Sequence, residues 1–92
     1  MVTAEVEINN TLGMHLRPAA LFCEIAQRYP CRVTIQIREK TVNAKSVLSL
    51  LAAGIKKGEV ISISCDGQEE EEALHALCEL VENGLSKTQD GE

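Results

Sequence analysis

The chain has no tryptophan, one phenylalanine (Phe22) and one tyrosine (Tyr29), an aromatic fraction of 2%. Its core must therefore be aliphatic, and any model that needs aromatic platforms for stacking nucleic-acid bases starts badly. Basic residues are in deficit as well. Nine Lys/Arg against fourteen Asp/Glu leave a net charge of −5, which argues against nucleic acid and anionic membranes as partners. No run approaches the ~20 apolar residues of a membrane span. The opening MVTAEVEINN has no basic segment followed by an apolar stretch, so a cytoplasmic protein is expected. The four cysteines (Cys23, Cys31, Cys65, Cys78) include no CxxC pair; in a reducing compartment they pack as small hydrophobes. His75 and Cys78 share a helical face but lack further ligands, so neither a metal nor a cofactor is expected.

What is present fits one domain: 92 residues, 45% of them hydrophobic, are enough for a single core and too few for two. Its expected extent is residues 1–85, followed by a flexible tail over 86–92. Charge is unevenly spread. Residues 1–58 hold eight Lys/Arg and four Asp/Glu, whereas residues 59–92 hold one and ten. The first stretch is the place to look for an acidic partner or a phosphate.

The hydrophobic period changes several times along the chain. Ala4, Val6 and Ile8 alternate with glutamates, the mark of a strand with one wet face. NNTLG (9–13) is turn chemistry, and from His15 to Gln27 Ala19, Phe22, Cys23 and Ala26 form a helical stripe with Pro18 in the first turn. Tyr29-Pro30 ends that helix. Val33, Ile35 and Ile37 alternate again, residues 38–40 read as a tight turn, and Thr41–Asn43 as a returning strand. A short helix over Ser46–Ala53 is closed by Gly54. VISISC (60–65) is a strand, and a last helix over Glu69–Asn83 buries Ala73, Leu74, Leu77, Cys78 and Val81, with Gly84 as its C-cap. Glu69–Glu72 suit the positive end of that helix. The order β-α-β-β-α-β-α predicts an α+β (α/β) open-faced two-layer β-sandwich: a four-stranded antiparallel sheet covered on one face by three helices.

The chemically dense segment is Leu12-Gly13-Met14-His15-Leu16-Arg17-Pro18-Ala19-Ala20. A histidine at the mouth of a helix is followed two residues later by an arginine. Free N–H groups and the helix dipole favour an anion there. Arg17 can fork onto phosphoryl oxygens, and neutral imidazole is a competent nucleophile. The competing reading is a histidine that merely caps the helix beside a solvated arginine; pattern alone leaves both open.

Residues 13–20 (GMHLRPAA) resemble the active-centre signature of the HPr family, the histidine phosphocarriers of the bacterial phosphoenolpyruvate:sugar phosphotransferase system. Val42-Asn43-Ala44-Lys45-Ser46-Val47-Leu48 resembles that family's segment around its regulatory serine, and Gly54-Ile55-Lys56-Lys57-Gly58 follows in the expected order. The resemblance spans about residues 2–85. It implies that His15 accepts a phosphoryl group on Nδ1 from phospho-enzyme I and passes it to an enzyme IIA domain. Arg17 and the backbone amides of Leu16 and Arg17 would stabilise the group in transit. Such a protein is a stoichiometric carrier, not an enzyme. The likeness further implies phosphorylation of Ser46 by HPr kinase/phosphorylase, although Ser46 also reads simply as an N-cap.

Leu16, Ala20, Val47, Leu48 and Leu51 exceed what the buried stripes can absorb. They are expected to form an exposed docking patch beside His15, with Arg17 and Lys45 supplying positive charge. A monomer is expected. Glu39 stands where the family usually has glycine, which implies a different hairpin turn. Two alternatives stay open: an HPr-like regulator of the nitrogen-related or catabolite-control type, and a small-ligand-binding α/β module in which His15 is structural. The presence of His15 argues against the catabolite-repression homologue that lacks it.

Overall fold

A computed structural model describes residues 1–84; the expected tail over 86–92 and the domain limit at residue 85 lie outside the described residues. Period-two alternation produces four strands: β1 (Val2–Glu7), β2 (Arg32–Ile37), β3 (Lys40–Asn43) and β4 (Val60–Asp66). They pair antiparallel in the order β1-β4-β2-β3. The register sets Ala4 and Ile35 on either side of Ile63, so the apolar residues of neighbouring strands fall on one face. Three helices cover that face: α1 (Leu16–Gln27), α2 (Val47–Ala53) and α3 (Glu70–Glu79). The open-faced architecture and its element order are those expected from the periodicity.

Between the layers lie Phe22, Ile8, Ile35, Ile37, Leu50, Ile61, Ile63 and Leu77, all fully buried. Phe22 is the sole aromatic there; branched aliphatics do the rest of the filling. Among the described residues the four cysteines are free, three of them buried and Cys78 half-buried. Burial pushes the Cys65 thiol up to about 12, so it packs as an inert hydrophobe.

Two local departures have physical causes. The β2–β3 turn is centred on Arg38 and Glu39, with Ile37 opposite Lys40, and the left-handed residue is Arg38 (φ +56°) rather than Glu39. A left-handed non-glycine residue costs roughly 1–2 kcal/mol; here its guanidinium reaches the Ala53 carbonyl and Glu59. At the other end α3 stops at Glu79 and continues as a π-helical turn over Leu80–Gly84. Both Leu80 and Val81 are buried there, and the wider turn accommodates two consecutive apolar residues against the core. Gly84 therefore lies inside this turn instead of capping a regular helix. Leu74 and Cys78, expected in the buried stripe, are half-buried on its flank.

Candidate functional site

The loop from Asn10 to His15 is braced by its own backbone. Gly13 N–H donates to the Asn10 carbonyl (3.1 Å) and His15 N–H to the Gly13 carbonyl (3.0 Å). Buried Asn10 adds a side-chain bond, Nδ2 donating to the Gly13 carbonyl at 2.5 Å. Met14 N–H then donates to the Ile55 carbonyl (3.0 Å), fastening the loop to the segment that follows α2. Gly13 is required at this seam. Its φ is +69°, and a Cβ there would lie 2.5 Å from the Ile55 carbonyl oxygen and 2.9 Å from Lys56 Cα, closer than side-chain carbons approach backbone.

His15 is the N-cap of α1, with extended backbone (φ −87°, ψ −168°) and no side-chain hydrogen bond to the helix. Its carbonyl accepts from Ala19 N–H (2.9 Å), so the helix starts normally while the amides of Leu16 and Arg17 remain without intrahelical partners. Pro18 has no N–H to satisfy. The first turn holds no acidic residue. An anion is favoured there by two free donors and by the helix dipole.

Of the imidazole's two nitrogens, Nε2 is enclosed and has no hydrogen-bond partner among the described residues. Arg17 is exposed, and no described residue engages its guanidinium in an ion pair. The arrangement therefore offers an unpaired imidazole, a free guanidinium and two unfilled amides at one helix start. Chemically, it can take up a tetrahedral anion and present a ring nitrogen to it.

The other expected residues fall elsewhere. Ser46 caps α2, its Oγ accepting from Ser49 N–H at 3.2 Å, as its residue type requires. Lys45 does not join the positive charge around His15. Its ammonium donates to the Tyr29 carbonyl (2.7 Å) and its own carbonyl accepts from Gln27 Nε2 (3.0 Å), both at the far end of α1. The length of α1, about 18 Å, separates that end from His15. Because α2 runs back along α1, the basic residue next to the His15 turn is Lys56, whose backbone abuts Gly13.

The apolar patch is narrower than expected. Leu16 (61%) and Leu48 (79%) are strongly exposed, and Ala20 is exposed. Val47 and Leu51 are half-buried against the core, because α2 turns its Leu50 and Ala53 inward and these two lie on the flanks. Sequence reasoning missed Asn10 as the brace of the loop. Its signal was an asparagine three residues before a glycine in a turn, where the side chain substitutes for a backbone partner. Among the described residues no group of three or more His, Cys, Asp or Glu side chains is disposed to hold a metal ion. Nor, among them, is any helix long and apolar enough to cross a membrane.

Fold and site together define a small α+β sandwich that presents one histidine at an anion-receptive helix start. A family profile described as the PTS HPr component phosphorylation site matches residues 2–83. Phosphocarrier protein HPr of Pseudomonas aeruginosa is 39% identical over 84 residues, 90% of this chain and 93% of that protein. The HPr-like protein Crh of Halalkalibacterium halodurans is 38% identical over 82 residues, 89% and 98% of the two chains. Among solved structures, HPr-C-His from Thermoanaerobacter tengcongensis superposes with a TM-score of 0.88 at 38% identity, covering 91% of this chain and 94% of that one. An HPr dimer from the same organism superposes at 0.72 with 39% identity, covering 96% and 98%. The chain belongs to the HPr family, the phosphocarrier proteins of the phosphotransferase system.

Proposed function

We infer that this chain carries a phosphoryl group on His15, received from phospho-enzyme I and delivered to an enzyme IIA domain of a sugar phosphotransferase system. The observation that carries the reading is the helix start at His15. Nε2 is enclosed, which leaves Nδ1 as the ring atom for an incoming phosphorus. On receipt the His15 Nδ1 lone pair forms the new P–N bond while the P–N bond to the donor's histidine breaks. On delivery the acceptor's histidine forms the new bond while the His15 Nδ1–P bond breaks, and in both steps the ring proton stays on Nε2. Leu16 and Arg17 amides and the Arg17 guanidinium receive the phosphoryl oxygens, so catalysis is positioning and charge stabilisation. With no substrate of its own to turn over, the chain is a carrier working in the cytoplasm with no cofactor.

Leu16, Ala20 and Leu48, with the half-buried Val47 and Leu51, supply the partner-facing ridge. Ser46 is the candidate for control by HPr kinase/phosphorylase: a phosphate there would sit at the start of α2 and load negative charge onto that ridge. The near-equal identity to HPr and to Crh favours a second reading, a regulator signalling through its phosphorylation state. The expectation of a monomer has no support, since a close relative forms an HPr dimer.

Incubation with enzyme I and phosphoenolpyruvate, followed by mass spectrometry, tests the acceptor. An acid-labile phosphoryl adduct is expected on the wild type and none on His15→Ala. A wild type without adduct, or an undiminished adduct on the variant, overturns the reading.

A further inference from the structure

We propose that Arg38 and Glu59, remote from His15, form a clamp that positions the His15 turn for phosphoryl transfer; this rests on the reading of His15 as the acceptor. The clamp begins at the strained hairpin residue. From its left-handed position, Arg38 donates through Nη2 to the carbonyl of Ala53, the last residue of α2. Through Nη1 it meets Glu59 Oε2 at 2.5 Å. The second carboxylate oxygen, Glu59 Oε1, accepts from Lys56 N–H at 2.8 Å. One side chain thus bridges a guanidinium on the hairpin to the backbone of residues 56–59. These bonds, the Lys56 amide first and then Arg38, hold the Glu59 carboxyl below its ordinary range.

Residues 55–59 are in turn the seat of the functional loop. Ile8 N–H donates to the Glu59 carbonyl (2.9 Å), Gly58 N–H to the Ile8 carbonyl (2.7 Å), and Met14 N–H to the Ile55 carbonyl (3.0 Å). Gly13 lies directly on Ile55 and Lys56. Fixing this seat fixes the backbone from Met14 into His15, and with it the direction of the ring. An ion pair this exposed, with 45% of the Arg38 and 26% of the Glu59 side chain accessible, adds little to global stability. Its effect is local, on how often the Met14–Ile55 bond opens.

Two variants separate the clamp from the fold. Glu59→Gln keeps shape and removes charge; Arg38→Gly removes the guanidinium while suiting the positive φ, so folding is not compromised. Both are expected to speed hydrogen exchange at the Met14 amide about fivefold, to move the His15 ring resonances in NMR spectra at fixed pH, and to slow adduct formation by a similar factor, with Tm nearly unchanged. Arg38→Lys should recover part of each effect. Arg28→Gln, which breaks the exposed Arg28–Glu24 pair, should change none. Unaltered Met14 exchange in both variants, or faster exchange with unmoved His15 ring resonances, overturns the clamp. If the wild type forms no adduct, the carrier reading falls, while exchange and the ring resonances still decide whether the clamp exists.

Discussion

The starts of α1 and α2 face the same problem, orphaned amides at a helix N-terminus, and meet it in opposite ways. Both cap residues have extended backbones. Ser46 turns its hydroxyl back onto Ser49 N–H, so its helix is closed by its own chain. His15 makes no such bond, and the first turn of α1 keeps unsatisfied donors next to an imidazole and a guanidinium. A capped start contributes stability; an uncapped one, held in place by the Asn10–Met14 loop, is receptive to a ligand. The open start of α1 is thus what the proposed site needs, as expected where a binding group must remain unpaired.

The largest effect should come from finishing the α1 start as the α2 start is finished. His15→Asn places a strong cap residue on backbone already in the cap conformation. The variant should form no phosphoryl adduct, yet gain about 1 kcal/mol of stability, several degrees in Tm for a domain of this size. Calorimetry and mass spectrometry on the same sample check both halves. A destabilised variant would mean that the imidazole, despite its unpaired Nε2, stabilises the fold.

Arg17 sharpens the same contrast from the side-chain end. It is exposed and unengaged, so Arg17→Glu should leave Tm almost unchanged. On the proposed function it replaces a donor to a phosphoryl anion by a repelling charge, and a charged hydrogen bond of about 1.5–3 kcal/mol corresponds to slowing of roughly tenfold to a hundredfold in both directions of transfer. Rapid-quench kinetics with enzyme I would measure the forward step. Unfolding of the variant would instead make Arg17 structural.

How far these features are legible in the sequence follows from how local their causes are. Strict alternation in Ala4–Ile8, Val33–Ile37 and Ile61–Cys65 makes the sheet face readable, because its period of two cannot be mistaken over five residues. The helix-start positions of His15 and Arg17 and the cap role of Ser46 are readable because helix starts are set by neighbours within four positions. Lys45 was misplaced because its partners, Gln27 and Tyr29, come from the end of another helix, and no spacing rule reveals that α2 runs back along α1. Val47 and Leu51 looked exposed because a seven-residue helix has too few positions to define its buried side before its neighbours are known. Arg38 was hidden for a further reason: its left-handed backbone contradicts residue preference, and its partners Ala53 and Glu59 are distant in the sequence.

The smallest effect is expected at the capped start, and it runs opposite to that of His15→Asn. Ser46→Ala removes the acceptor of the Ser49 N–H and should cost about 1 kcal/mol, visible as a lower denaturant midpoint with an unchanged slope. Because Ser46 lies at the far end of α1 from His15, the initial rate of adduct formation should match that of the wild type. Equal rates would make the two helix starts independent, one serving stability and the other chemistry. A slowed rate in Ser46→Ala would instead show that the α2 cap is felt along the helix at Ile55, on which Met14 rests, and the division of labour between the two starts would fail.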